Sequence, residues 1–323
     1  MKDFLKKIEG KKVIVIGDVM IDAYLWGNVN RISPEAPVPV LSVTKRENRL
    51  GGAANVALNL KSLGVDPIIC SVIGQDEDGY LYKDLMVNNQ LSTSGLIQSS
   101  ERKTTKKTRF ISNGQQLLRV DDEISYLISS KLENDLISLV KETIDKHEIS
   151  AIIFEDYDKG VLAEHFIFEI CKIAKEKGIL TSVDPKKNNY DFYNNVTLFK
   201  PNFKEFNEGG HLDILKADTK AIFEHAQKMI KEKNIKYIFV TLSELGVFIT
   251  DGKEYHIIPA EFRQIRDVSG AGDTVISVAT LLLISGYDMK TVASISNIAG
   301  GLVCEKAGVV SITQEDLLPI SLN

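Results

Sequence analysis

The amino-acid sequence predicts an α/β fold: a three-layer α/β/α sandwich with a mostly parallel central sheet. Short apolar runs rich in β-branched residues alternate along the chain with longer amphipathic stretches, as in parallel sheets covered by helices on both faces. Two strand-like segments interrupt this alternation and predict a separate small sheet. The 323 residues are 44% hydrophobic and 26% charged, so the chain can bury a core large enough to offset its ordering entropy.

The predicted elements follow from the pattern of each segment. Residues 13–16 form a continuous apolar run that ends in Gly17 and Asp18, which is typical of a buried parallel strand. Similar runs predict further strands at residues 67–72, 151–154, 180–183 and 237–240. Helices are predicted at residues 53–63, 131–146, 164–177, 219–233 and 275–284, and a short one after Pro201.

The small sheet is predicted from residues 24–49 and 104–120. The first segment contains three prolines between short extended pieces, and the second is a hairpin of residues 105–111 and 115–120 joined through Asn113-Gly114. Strand-like inserts in a βα chain lie outside the main layers, so we expect one β-sheet lid over the carboxyl edge of the main sheet. Without an internal repeat or a Gly/Ser linker, residues 1–323 are expected to form a single domain.

Composition excludes several classes of protein. The formal net charge of −5 argues against a dedicated nucleic-acid binder. Cys70, Cys171 and Cys304 form no C-x-x-C pair, which excludes a disulfide framework and a cysteine zinc site. The N-terminal residues lack the apolar core of a signal peptide, and the longest apolar stretch is too short to span a bilayer. We therefore predict a cytoplasmic protein without membrane or nucleic-acid partners.

The most distinctive local motif is D-V-S-G-A-G-D-T at residues 267–274, followed by an apolar helix. Small residues let the backbone approach a ligand, and a helix start offers free N–H groups to an anion. A plain glycine turn with Asp273 as a helix cap explains the motif equally well. A dinucleotide-binding reading is disfavoured because the third glycine position is Val275 and the motif lies late in the chain.

Polar or glycine-containing loops follow most of the predicted strands. Gly51-Gly52 and Asn55 open a helix, while Asp18 and Asp22 follow the first strand. The later strands are followed by Asp184-Pro185-Lys186, Asn202–Glu205 and the segment from Thr241 through Ser243 to Gly246. Each loop alone is ordinary. Together they predict a ligand site at the carboxyl edge of the sheet.

The chain resembles the ribokinase (PfkB) family of sugar kinases over essentially its whole length. The glycine turns at residues 51–55 and 267–273 carry the general resemblance. The string R-I-S-P-E-A-P-V-P-V at residues 31–40 is more discriminating and points to members that act on D-glycero-β-D-manno-heptose 7-phosphate in ADP-heptose synthesis. Further marks are G-D-V-M-I-D at 17–22, Q-Q-L-L-R at 115–119 and D-Y-D-K-G at 156–160. Ser269 and Glu155 depart modestly from the pattern.

The resemblance implies transfer of the γ-phosphoryl group of ATP to the anomeric hydroxyl of the heptose 7-phosphate. Asp273 would be the base, and the backbone N–H groups of Gly270, Ala271 and Gly272 would stabilise the transferring phosphoryl group. Asn202 and Glu205 would organise Mg²⁺, mainly through water. The nucleotide would be lined by Thr241, Ser243, Gly246 and, as a weaker candidate, Asn297.

The resemblance also implies a sugar site and a dimer. The sugar candidates are Asp18, Asp22, Gly51, Gly52, Asn55 and Asp184, and the cations available for the 7-phosphate are Lys107, Arg109, Arg119, Lys159 and Lys186. Two of these cations could equally be solvated charges on the lid. A homodimer through the apolar outer face of the lid is expected.

Related bifunctional proteins carry a nucleotidyltransferase domain with a His-x-Gly-His motif, which does not occur here. We therefore expect no nucleotidyltransferase domain and a separate enzyme for adenylylation, with lipopolysaccharide core as the usual destination. Two alternatives stay open: a kinase of this family for another sugar or sugar phosphate, and a non-catalytic sugar- or nucleotide-binding regulator on the same fold.

Overall fold

A nine-stranded main sheet and a four-stranded small sheet form the framework of the protein, in a computed structural model that describes residues 1–321. The strands are β1 (Lys12–Gly17), β2 (Val19–Ile32), β3 (Pro39–Gly52), β4 (Asp66–Gly74), β5 (Leu96–Ser99), β6 (Thr105–Ser112), β7 (Gln115–Asp122), β8 (Ile149–Glu155), β9 (Leu180–Asp184), β10 (Leu198–Phe199), β11 (Tyr237–Thr241), β12 (Val247–Thr250) and β13 (Tyr255–Ile258). The helices are α1 (Lys2–Ile8), α2 (Ala53–Ser62), α3 (Glu77–Asn88), α4 (Ser130–Lys146), α5 (Glu164–Lys177), α6 (Phe203–Gly209), α7 (Thr219–Lys233), α8 (Ala271–Ile284), α9 (Met289–Cys304) and α10 (Gln314–Leu317).

The main sheet has the strand order β13-β12-β11-β10-β9-β8-β1-β4-β5. The strands from β5 to β11 are parallel, and β12 and β13 add an antiparallel edge. On β1, Val13 and Val15 pack into the core formed with α2, α8 and α9, while Ile14 and Ile16 pack into the core formed with α4, α5 and α7. Successive side chains of a strand point to opposite faces, so the continuous apolar run of β1 serves both cores. The predicted α/β/α fold class is confirmed.

The predicted elements of the main layers are present, and α5 and α7 have the predicted bounds. One helix differs in a way that matters for the site: α8 begins at Ala271 rather than at residue 275. Gly270 adopts a left-handed conformation (φ +81°) as the residue before the helix, and this starts α8 inside the glycine turn. Helix α3 and the edge strands β12 and β13 were not predicted.

The small sheet has the order β3-β2-β6-β7. The predicted hairpin is confirmed, with Asn113 and Gly114 at positive φ in the turn between β6 and β7. The expectation of short extended pieces in residues 24–49 was wrong, because β2 and β3 are antiparallel strands of 14 residues each. Asp18 alone separates β2 from β1, so the small sheet rises directly from the carboxyl edge of the main sheet. Among residues 1–321, no helix is long and apolar enough to cross a membrane.

Candidate active site

The carboxyl ends of the central strands meet at one edge of the main sheet, which we call the rim. Asp18 follows β1, Glu155 ends β8, Asp184 ends β9 and Thr241 ends β11. In the register of the sheet, Glu155 lies directly opposite Asp184. The predicted convergence of polar strand ends is therefore present, and two carboxylates face each other at its centre.

Helix α8 begins at this rim with a backbone that comes close to the strand ends. A Cβ atom on Gly272 would lie 3.6 Å from an oxygen of Asp184 and 3.7 Å from Nζ of Lys200. The N–H of Ala271 donates to the carbonyl of Val268 at 3.3 Å. The first turn of this 14-residue helix carries the positive end of the helix dipole, which favours an anion at the rim.

Asp273 lies in the first turn of α8 and is only 6% exposed. Burial raises its pKa to about 6, and the charge of the nearby Asp184 adds to this rise. A hydrogen bond from Asn55 and the charges of Lys200 and Lys186 lower the pKa in part. The hydroxyl of Tyr157 donates to Oδ1 of Asp273 at 3.4 Å. A carboxylate with a pKa close to neutral can take up a proton during a reaction and release it afterwards.

A pocket of about 460 Å³ opens at the rim, and we call it the charged pocket. The predicted residues on its wall are Asp184, Lys186, Asn202, Glu205, Thr241, Ser243, Gly272 and Asp273. The wall also holds residues that the sequence analysis did not assign: Glu155, Tyr157, Lys200, Phe203, Lys204, Lys216 and Val268. Carboxylates and amines both line this wall, as expected for a site that handles phosphates and a cation.

Two ion pairs hold the charged pocket in shape. Nζ of the buried Lys200 lies 2.7 Å from Asp184, and Lys186 binds Glu205. Burial opposes the charge on Lys200, yet the carboxylates of Asp184 and Glu205 raise its pKa above the usual value. Oε2 of Glu155 is buried without a hydrogen-bond partner among the described residues, and burial beside Asp184 holds the pKa of Glu155 well above its ordinary value.

Asn202 and Glu205 bind each other at the start of α6. Oδ1 of Asn202 accepts the N–H of Glu205, and Oε2 of Glu205 accepts the N–H of Asn202, both at 2.9 Å. This capping box satisfies two backbone donors and fixes both side chains. One oxygen of Glu205 therefore serves the helix, and the other faces Lys186.

A larger pocket of about 690 Å³, which we call the apolar pocket, adjoins the charged pocket and shares with it Thr241, Ser243, Val268 and Gly272. Gly246, Ala271 and Asn297, also predicted site residues, line it as well. The amide of Asn297 donates to the carbonyl of Pro259 at 2.9 Å, which ties α9 to the loop after β13. Its remaining walls are largely apolar, which suits an uncharged ring.

A third pocket, of about 420 Å³, lies between α2 and the small sheet, and Asn55 on its wall hydrogen-bonds Asp273. We call it the amide pocket, because asparagines line much of it: Asn48, Asn55, Asn59 and Asn89. Asp22 and Arg49 also line it. Oδ1 of Asp22 binds the guanidinium of Arg109 at 2.6 Å. Gly51 and Gly52 lie directly before α2: a Cβ on Gly51 would clash with the carboxylate of Asp22, and Gly52 has a positive φ of 63°.

Asp18 has a different position from the one expected of a sugar ligand. It is 2% exposed, and both of its carboxylate oxygens accept backbone N–H groups of the loop after β8. It is not among the described residues that line the three pockets. These contacts give Asp18 a structural role in holding that loop, and its predicted contact with the sugar stays a prediction.

The cations predicted for a phosphate are paired with carboxylates. Lys107 lies between Asp121 and Glu123, at 3.6 and 3.4 Å, and Lys159 binds Glu123 at 2.7 Å. Arg119 binds Asp121 on the exposed side of β7. Arg109 and Lys186 are the members of this set that contact carboxylates of the amide and charged pockets.

A simple signal would have found several of the missed residues. Glu155, Tyr157 and Lys200 lie at or just after the ends of β8 and β10, the same position that identified Asp184 and Thr241. Arg49 lies in β3, two residues before the Gly51-Gly52 turn. The sequence does not show that this strand places Arg49 on the wall of the amide pocket.

Comparisons with known proteins agree with this geometry. The family "pfkB family carbohydrate kinase" matches residues 10–316. The bifunctional protein HldE of Syntrophotalea carbinolica is 37% identical over 319 residues, which cover 98% of this chain and 64% of that protein. HldE of Helicobacter pylori is 38% identical over 308 residues, which cover 95% of this chain and 65% of that protein. The chain thus spans a little under two thirds of the length of these relatives.

Among solved structures, phosphofructokinase-2 from Escherichia coli in complex with potassium superimposes with a TM-score of 0.79. The match covers 96% of this chain and 98% of that one at 18% identity, which supports the fold alone. The crystal structure of the same enzyme with substrates and products gives a TM-score of 0.77 at 17% identity, with the same coverage. The chain is therefore a member of the pfkB family of carbohydrate kinases.

Proposed function

We propose that the protein transfers the γ-phosphoryl group of ATP to the anomeric hydroxyl of D-glycero-β-D-manno-heptose 7-phosphate, giving the 1,7-bisphosphate and ADP for ADP-heptose synthesis. The observation that carries this proposal is the buried Asp273 at the start of α8, which lines the charged pocket and is hydrogen-bonded by Asn55 of the amide pocket. The resemblance of residues 31–40 to family members that act on this heptose phosphate supports the heptose over other sugars.

In this proposal Asp273 accepts the proton of the anomeric hydroxyl as the oxygen bonds to the γ-phosphorus. The bond from the γ-phosphorus to the oxygen bridging it to the β-phosphate breaks, and ADP leaves with that electron pair. The pKa of about 6 suits the step, because the group is ionised at neutral pH yet basic enough to take the proton.

Negative charge on the transferring group would be met by the start of α8 and by lysines. Gly272 lines the charged pocket at the start of α8, where its N–H and the helix dipole would meet that charge. Lys186 and Lys200 stand on its wall, held by Glu205 and Asp184. Because these amines are fixed before ATP arrives, little reorganisation is needed when charge develops.

The residues of the charged pocket fit a divalent cation such as Mg²⁺. Carboxylate oxygens of Glu155, Asp184 and Asp273 lie within 4.8 Å of one another, and Oε2 of Glu155 is without a partner among residues 1–321. With Asp273 reserved as the base, Asp184 and Glu205 would hold the ion, mainly through its water shell, with Asn202 beside them. When bound, the ion would neutralise charge on the phosphates of ATP.

The apolar pocket would take the nucleoside of ATP. Thr241 and Ser243 stand between this pocket and the charged pocket, where a sugar–phosphate linkage would pass. Gly246 has a φ of 90°, and a Cβ there would clash with the carbonyl oxygen of Ile258, so glycine lets this turn pack closely against the loop after β13. Asn297 would contribute indirectly, by holding the loop at Pro259 that closes the pocket.

The amide pocket would take the heptose. Asp22 and Asn55 offer a carboxylate and an amide to sugar hydroxyls, and Gly51 leaves the space that the carboxylate of Asp22 needs. Gly52 lets the chain pass close to the carbonyl of Asp18 as it turns into α2. Arg109 is our first candidate for the 7-phosphate, because it already contacts Asp22. Lys107 and Lys159 would have to leave Glu123 before they could bind a phosphate.

The small sheet would act as a lid and as a dimer interface. Its exposed apolar side chains are Ile32, Val38, Val43, Leu117, Leu118 and Val120, each more than a third exposed. Such a patch is costly to leave in water and is expected to be covered by a second copy. Sedimentation equilibrium should give twice the 35.9 kDa chain mass, and a stable monomer would contradict the proposed dimer.

An ADP-release assay against a panel of sugar phosphates tests the proposed substrate. We expect heptose 7-phosphate to give the highest kcat/KM, by about a hundredfold or more over fructose 6-phosphate and ribose. Rapid turnover of either of those sugars with none of the heptose would show a kinase for another sugar. ATP binding without turnover of any sugar would favour the non-catalytic regulator.

A further inference from the structure

Residues 156–161 follow β8 at the rim, and we call them the tyrosine loop. Tyr157 extends from this loop along the charged pocket to Asp273, and its hydroxyl donates to Oδ1 at 3.4 Å. Nζ of Lys186 lies 5.7 Å from the centre of the tyrosine ring. Burial beside Asp273 raises the pKa of the Tyr157 hydroxyl, so this group remains a hydrogen-bond donor at neutral pH. The loop thus places one donor on the proposed base.

The carboxylate of Asp18 holds this loop through backbone hydrogen bonds. Its Oδ2 accepts the N–H groups of Tyr157 and Lys159 at 3.1 and 3.0 Å, and its Oδ1 accepts the N–H of Val161 at 3.1 Å. Every second residue of the loop is therefore bound to the same carboxylate. An acceptor shared in this way leaves the backbone around Tyr157 little freedom to shift.

Arg102 and Asp156 fix the loop from two further sides. The buried Arg102, which precedes β6, donates to the carbonyl of Lys159 and, at 2.7 Å, to that of Tyr126. Asp156 accepts hydrogen bonds from Asn189 at 2.9 Å and Tyr193 at 3.0 Å. These contacts hold the loop although Asp158 and Gly160 both have a positive φ.

The burial of Asp18 and Arg102 has an energetic cost that packing alone does not explain. Apolar residues of similar volume would fill the same space without desolvating two charges. Buried charged groups of this kind are useful where a backbone must be held in one conformation. Here the conformation that they hold is the one that sets Tyr157 against Asp273.

We propose that Asp18 and Tyr157 are positioning residues for the phosphoryl transfer: Asp18 holds the tyrosine loop so that the Tyr157 hydroxyl fixes one oxygen of Asp273 and leaves the other for the acceptor hydroxyl. This inference rests on the proposed role of Asp273 as the base. It assigns to Asp18 an action through Tyr157 rather than a contact with the sugar.

A double-mutant cycle on kcat tests the inference. Tyr157→Phe removes the donor and keeps the ring, and we expect it to lower kcat about tenfold, with the KM for ATP nearly unchanged. Asp18→Asn replaces an acceptor oxygen by an amide donor and should lower kcat to a similar extent. Because the two residues act in series, the double variant should be no slower than the slower single variant.

Two outcomes would overturn the inference. An unchanged kcat in Tyr157→Phe would show that the hydroxyl does not position the base. A double variant whose loss of kcat is the product of the two single losses would show that Asp18 acts independently of Tyr157.

A control and a second variant separate positioning from a general loss of stability. Asp288→Ala removes an aspartate that also accepts a backbone N–H, at the start of α9 away from Asn297. Its effect on kcat, if any, should multiply with that of Tyr157→Phe. If Asp18→Asn does not fold, Arg102→Lys replaces it in the cycle, since Arg102 holds the same loop at Lys159, and a multiplicative result there would overturn the inference equally.

The cycle needs only a sugar that the parent enzyme phosphorylates. If heptose 7-phosphate is not turned over but another sugar phosphate is, the proposed substrate fails and the cycle proceeds with that other sugar. If the parent turns over the heptose and the two losses multiply, the inference fails while the proposed function stands.

Discussion

Asp273 is the residue on which the proposed chemistry depends. Asp273→Asn keeps the size of the side chain and removes its basicity, so kcat should fall about a thousandfold or more. The affinity for ATP, measured by calorimetric titration, should stay nearly unchanged, because the charged and apolar pockets proposed to bind ATP keep their shape. Asp288→Asn serves as the matched control, since asparagine caps a helix about as well as aspartate. Undiminished turnover in Asp273→Asn would remove this residue from the mechanism.

The pH dependence of kcat follows from the environment of Asp273. Burial raises its pKa to about 6, and in its proposed role as the base it acts only when ionised. We therefore expect kcat to level off above that pH and to fall about tenfold per unit below it. Stability should change in the opposite direction. The raised pKa values of Asp18 and Asp273, both about 6, mean that the folded chain binds protons more tightly than the unfolded chain.

The free energy of unfolding should therefore rise as the pH falls from about 6 towards 4 on account of these two groups. Urea titrations of the parent and of Asp18→Asn across that range isolate the contribution of Asp18, because the variant cannot titrate there. An identical pH slope in the two proteins would contradict the assigned burial of the charge.

At the scale of single residues, the sequence locates strand ends but does not reveal which of them are neighbours. Asp184 and Thr241 were found because each follows an apolar run. Glu155 was not predicted as a neighbour of Asp184. The two residues face each other because of the register of β8 against β9, which the sequence does not show. The ion pair between Lys200 and Asp184 likewise joins β10 to β9 and has no signature in either segment.

At the scale of elements, burial on both faces made β1, β4, β8, β9 and β11 easy to predict. Strands β2 and β3 are mostly half-exposed or exposed along their outer halves, so their pattern of polar and apolar residues resembles loops. The prolines between them also shortened the predicted pieces. Helix α3 has few buried residues and a weak apolar face, which explains why it was not predicted.

The turn from β3 into α2 depends on Gly52. This residue has a φ of 63°, and a Cβ there would lie 2.4 Å from the carbonyl oxygen of Asp18. Gly52→Ala should therefore lower the free energy of unfolding by about 3 kcal/mol or more, through strain and displacement together. Gly178→Ala is the matched control: its φ is 67° and nothing lies within 4 Å of its Cβ, so only the strain, about 1 kcal/mol, should remain.

Chemical unfolding monitored by circular dichroism gives both values. Equal losses of unfolding free energy in Gly52→Ala and Gly178→Ala would show that the close approach of Gly52 to the Asp18 carbonyl adds no energetic cost. A further loss of kcat is expected only for Gly52→Ala, because Asp18 also holds the tyrosine loop.

At the scale of the whole molecule, distant parts of the chain build one site. Oδ1 of Asn59 on α2 accepts the hydroxyl of Thr274 on α8 at 3.1 Å and the N–H of Ile312 at 3.0 Å. The amide pocket thus depends on residues from the beginning and the end of the chain. The net charge of −5 is compatible with anionic substrates because Lys186 and Lys200 are concentrated at the rim.

The most direct test of the proposed function is the structure of the product. Phosphorus-31 NMR of a reaction with ATP and heptose 7-phosphate should show ADP together with one new phosphomonoester signal coupled to the anomeric proton, in equal amounts. Phosphate on another carbon, or ADP with inorganic phosphate alone, would contradict the assignment of the anomeric hydroxyl as the group that Asp273 deprotonates.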